Sequence, residues 1–108
     1  MKIVVTTVDE IKTAIEKLRA DFSRIQENTY KNFASRPNFN GMDDAEIRKI
    51  YMDANREAIN SRFRTHCKQN IGILVESGRV APEQRRLYAE LLMALNSILK
   101  TIDFVVAN

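Results

Sequence analysis

Few residues in this chain could do chemistry, and their spacing limits what each can do. His66 and Cys67 are the sole histidine and the sole cysteine, and they are adjacent. A thiolate–imidazolium pair on a helix needs a separation of three or four residues, whereas neighbours point about 100° apart. Cys67 also falls on an apolar stripe, where packing is a cysteine's commonest role. With one of each residue, neither an intramolecular disulfide nor a His- or Cys-rich zinc motif can form within one chain.

Carboxylates gather near the start of the middle segment, as Asp43, Asp44, Glu46, Asp53 and Glu57. Asp53 and Glu57 lie four apart and share a helical face. Lys49 and Arg56 stand at pairing distance, however, which suits a solvated charged face. Acid–base work would need a pocket to displace a carboxylate pKa, and periodicity supplies none. Glycines at 41, 72 and 78 are too dispersed for a phosphate cradle, and no serine stands in a nucleophile elbow. The expectation is a protein that is not an enzyme and that uses no cofactor or metal.

The basic residues make a sharper feature. Arg62, Arg64, His66 and Lys68 occur with no acidic residue between Ala58 and Val75. Arg64 and Lys68 share a helical face, while Arg62 projects elsewhere. Arg79, Arg85 and Arg86 follow a turn, and an antiparallel return would bring Arg85 or Arg86 towards Lys68. One joined patch could contact nucleic-acid phosphates. Against this, the net charge is only +3. That modest excess also serves ordinary solubility.

The elements that must position these residues read as helices. The chain has 108 residues, 44% hydrophobic and 29% charged, with three Gly and two Pro. That fits a single helical domain over 1–108 rather than a disordered chain. Residues 2–6 suit a short strand or extended arm. Thr7 and Glu10 then form a capping box. Ile11, Ile15, Leu18, Phe22, Ile25, Thr29 and Phe33 follow as one stripe in alternating steps of four and three. Pro37 and Asn40-Gly41 break the pattern around Phe39, which either plugs the bundle end or anchors a partner.

Asp43 and Glu46 are a second capping signal, opening a helix expected to run to Ser77-Gly78. Two apolar faces emerge along it. One holds Ile47, Tyr51, Ala54 and Ala58; the other holds Met52, Ile59, Phe63, Cys67 and Leu74. Pro82 suits the first turn of a last helix. There Leu87, Leu91, Leu95, Ile98, Ile102 and Val105 form a stripe, widened by Leu92, Leu99 and Val106. As the most hydrophobic helix, it should be the central packing element. The fold class expected is all-α, an antiparallel bundle of about three long helices with a short extended N-terminal segment.

Two apolar faces on one helix suggest a protein-interaction module such as an adaptor, inhibitor or subunit. It would bind another protein and associate with itself, using Met52, Ile59, Phe63, Leu74 and Phe39 as anchors. A nucleic-acid-binding protein using Arg62, Arg64, Lys68, Arg79, Arg85 and Arg86 is the alternative. Ile3–Val5 is too short an apolar run for a signal peptide, and Lys100 and Asp103 interrupt the last apolar segment before spanning length. The expected setting is therefore cytoplasmic, with no membrane partner.

Overall fold

A computed structural model describes residues 2–73 and 82–106. Three helices pack as a bundle, in the order β1 (Ile3–Val5), α1 (Val8–Ala34), α2 (Asp44–Asn70), β2 (Ile71–Ile73) and α3 (Pro82–Thr101). Its principal extents are 63 × 25 × 17 Å and its radius of gyration is 18.0 Å. A compact chain of this length would have a radius of about 13 Å. The molecule is therefore a rod, with its helices staggered rather than level.

Local chemistry sets the helix limits. Thr7 caps α1 by accepting the Glu10 N–H at 3.1 Å, and the Thr6 hydroxyl donates to the Glu10 carboxylate at 2.6 Å. In the connection, a single 3₁₀ turn (Pro37–Phe39) leads to Gly41, whose φ of 79° is the left-handed conformation that favours glycine. Phe39 is half-buried there, with its ring 4.9 Å from that of Phe33. The second capping box is not formed as expected. Asp43 contributes its backbone carbonyl to Glu46 and Ile47, but its side chain makes no capping bond.

The α1 stripe is displaced from the expected one. Ile11, Ala14, Ile15, Leu18, Phe22, Gln26 and Tyr30 are buried, while Ile25 is exposed. Alternating steps of four and three average 3.5 residues, short of the 3.6 of a straight helix, so the seam drifts about 20° per heptad. By the third heptad the inward position has moved on by one residue. Gln26 is buried there because its side-chain oxygen accepts the Tyr51 hydroxyl at 3.0 Å.

In α2 the two expected faces merge into one. Ile47, Tyr51, Ile59, Phe63 and Cys67 are buried, whereas Ala54 and Ala58 are exposed. Each step of four advances about 40° round a helix, so a row built from such steps winds about halfway round between Ile47 and Cys67. α1 covers it at Tyr51, which touches Tyr30 and Phe33. At Phe63 the cover is shared by Phe22 and the C-terminal Phe104.

α2 also stops short of the expected Ser77. The Ile71 N–H bonds back to the Cys67 carbonyl, and Ile71 turns extended at φ −111° and ψ 121°. The Asn70 side-chain amide donates to the His66 carbonyl at 2.7 Å. β2 then pairs in parallel with β1, Ile3 opposite Ile71 and Val5 opposite Ile73. The ladder satisfies the backbone groups that the ended helix leaves open. Leu74, Arg79 and the Ser77-Gly78 turn lie outside the described residues.

Two expectations about α3 also change. It buries Leu91, Leu95 and Leu99, while the larger part of the core comes from α1 and α2, so it is not the central element. It ends at Thr101 rather than continuing through Val105. Asn60, itself buried, holds the segment beyond. Its side-chain oxygen accepts the Phe104 and Val105 N–H groups at 2.9 and 2.7 Å, and its amide donates to the Val105 carbonyl at 3.2 Å. A side chain on α2 thus bonds backbone that a continued helix would have bonded to itself. Among the described residues, no helix is long and apolar enough to cross a membrane.

Candidate functional site

The residues singled out from the sequence fall in different places. Ile59 and Phe63 are fully buried, which corrects their assignment as anchors on an open face. Phe63 is enclosed by Phe22, Phe104 and the Arg19 guanidinium, the last 4.9 Å from its ring centre. Phe39 closes the hairpin tip against Phe33. Met52 borders a cleft.

The basic residues do not come together as expected. Arg64 is bound by the Asp103 carboxylate and donates to the Ile102 carbonyl at 2.8 Å. Its charge is largely answered within the chain. Lys68 lines a shallow depression with Asn96 and Lys100, so the α3 cation nearest it is Lys100. Arg86 stands ten residues before Asn96, about 15 Å along the helix. Arg85 and Arg86 are exposed and belong to that far end, and Arg62 reaches its Nε to the Ala58 carbonyl at 3.3 Å.

Cys67 is enclosed, and burial pushes its thiol up to about 11, against an opposing pull from Arg19. It is a protonated packing group at neutral pH, not a thiolate nucleophile. His66 lies beside the Phe22 ring, 5.7 Å between centres. Among the described residues, no group of three or more His, Cys, Asp or Glu side chains is arranged to hold a metal.

The densest polar arrangement was not anticipated. Arg48 donates to both Glu27 oxygens at 2.9 and 2.7 Å, and through Nε to Asp44 at 2.9 Å. Asp44 also accepts the Tyr30 hydroxyl at 2.7 Å, and the Arg48 guanidinium lies 4.1 Å from the Tyr30 ring centre. This fork ties α1 to α2 where α3 does not reach. Arg48 holds the Glu27 carboxyl below its ordinary range, while the Tyr30 hydroxyl and then Arg48 do so for Asp44. Burial, and then the bond to Asp44, raise Tyr30.

Because both carboxyls are lowered on folding, their contribution is present above the ordinary carboxylate range and is lost as pH falls through and below it. The two groups are solvent-accessible, so screening keeps the contribution small. Arg48→Met removes the main cause for Glu27 and one of two for Asp44. Its denaturation midpoint should fall less steeply than that of the wild type between about pH 5 and pH 2. Parallel acid profiles would show that the fork does not couple to folding.

Two surface features remain. The first is the cleft beside Met52, with a volume of about 810 Å³, bounded by α2 and the Phe104–Val106 segment. The second is the early part of α3. No residue of 82–90 is buried, although Leu87 and Tyr88 lie on the same side of the helix as Leu91 and Leu95.

This arrangement defines a class by its architecture alone: a staggered three-helix bundle with a parallel two-strand clasp. No family model, no curated protein and no solved structure matches the chain.

Proposed function

We propose that the protein is a small helical interaction module that associates with itself through the early turns of α3. The observation behind this reading is that the core-facing stripe of α3 continues past the structure that covers it. Leu91 and Leu95 are buried, but Leu87 is 48% and Tyr88 40% exposed on the same side. A helix segment with no buried residue gains little from packing, and short helices are marginal in water without it. Covering that stripe with a second copy extends the existing core rather than creating a new surface. Glu83 and Glu90 flank Arg85 and Arg86 along these turns, so two antiparallel copies can offset their charges.

The setting this reading implies is cytoplasmic, in keeping with a single, buried cysteine. Nucleic-acid binding is the weaker reading. With Arg64 bound to Asp103, Lys68 and Lys100 are the cations that face each other, and two phosphate contacts give little affinity.

Light scattering across a dilution series tests the proposal. Wild-type protein should show a mass above that of the monomer at high micromolar concentration, and Leu87→Lys with Tyr88→Lys should return it to monomer while keeping its helical spectrum. A wild-type monomer throughout that range would sink the proposal, as would a variant that still dimerises.

A further inference from the structure

The cleft beside α2 combines two kinds of lining. Met52, Phe104, Val105 and Val106 supply apolar surface. Lys49 and Arg56 supply positive charge, one turn to either side of Met52 on the same helix. Its volume, about 810 Å³, falls in the range of small-molecule sites. A smaller recess of about 140 Å³ adjoins it, sharing Arg48, Met52 and Phe104 and reaching Ser23 and Gln26 on α1.

The charges are not equally engaged. Arg48 spends its fork on Glu27 and Asp44. Lys49 has no carboxylate within ion-pair distance among the described residues. Arg56 reaches Asp53 only at 3.4 Å, and its Nε is buried without a hydrogen-bond partner. The side chain as a whole is 34% exposed, so its guanidinium can still meet an anionic acceptor from the cleft. Asp53 is the one carboxylate on the lining, so the cleft carries a net positive charge.

We infer that this cleft binds a small amphiphilic carboxylate, its anionic head between Lys49 and Arg56 and its hydrocarbon chain on Met52, Phe104 and Val105. Charge selects the head, and apolar area holds the chain. The site is remote from Leu87 and Tyr88, so it stands independently of the self-association proposed above.

Decanoate, kept below its micellar concentration, is the probe. Calorimetric titration should show saturable binding to the wild type. Decanol lacks the charge and acetate lacks the chain, and each should bind at least about tenfold more weakly. Lys49→Ala with Arg56→Ala should weaken decanoate by a similar factor, with the circular dichroism unchanged. Lys49→Ala alone alters only an exposed side chain, so its weaker binding would stand even if the double variant were poorly folded. No saturable binding by the wild type would overturn the inference. So would equal affinity for decanoate and decanol, or wild-type affinity in Lys49→Ala.

Discussion

Phe63→Ala should lower the stability of the folded chain by about 3–5 kcal/mol, the usual cost of removing a buried ring and leaving a cavity. Phe63 is wholly enclosed, with Phe22 and Phe104 at 5.3 and 5.4 Å between ring centres and Arg19 above. Neither ring can follow it into the void easily. Phe22 is held on α1, and Phe104 is fixed through its backbone N–H to Asn60. Domains of this size have roughly 5–15 kcal/mol in all, so the variant should sit close to its unfolding transition. The melting temperature should fall by about 12 °C or more. Urea titration provides the free energy. If Phe63 were instead an anchor on an open face, the change would stay within about 0.5 kcal/mol. A loss that small would show that its surroundings have been wrongly assigned.

The second large effect is expected at Asn60. Asn60→Ala removes one acceptor used by two backbone N–H groups and one donor used by a carbonyl. Buried groups that lose their partners bear a desolvation cost of about 1–3 kcal/mol each, partly relieved when the segment swings into water. A net loss of about 2–4 kcal/mol follows, with amide exchange at Phe104 and Val105 rising more than elsewhere. Asn55→Ala is the control, since Asn55 bonds only to the Tyr51 carbonyl one turn back, at 2.8 Å. It should cost under about 1 kcal/mol. Equal losses in the two variants would mean that Asn60 does not hold the C-terminal segment.

Asn60 also shows where sequence reasoning stops. Apolar periodicity locates all three helices, and the Thr7 capping box marks the first turn of α1. Gln26 and Asn60 escape it because periodicity counts apolar residues, whereas burial of an amide depends on a partner far along the chain. The end of α3 escapes for a related reason. Ile102 and Val105 continue the helical spacing, yet a side chain on another helix binds the backbone there. Ile71-Gly72-Ile73 is equally ambiguous, since a short apolar run fits a helix or a strand until its neighbour is known. Of the proposed anchors, Met52 borders a cleft while Ile59 and Phe63 fill the core, a distinction that depends on how the row winds round α2. The Glu27–Arg48 bond, spanning two helices, has no local signature at all.

The parallel pairing of β1 with β2 bears on the order in which the chain folds. The two strands are separated by the entire α1–α2 hairpin, whereas the hairpin itself needs only the short connection around Gly41. Closing a longer loop sacrifices more chain entropy, and three residues per strand return little until the ends are already near one another. The hairpin must therefore zip before the strands can meet. The clasp is a late event in folding and an early casualty in unfolding, a latch on a door that something else has already shut.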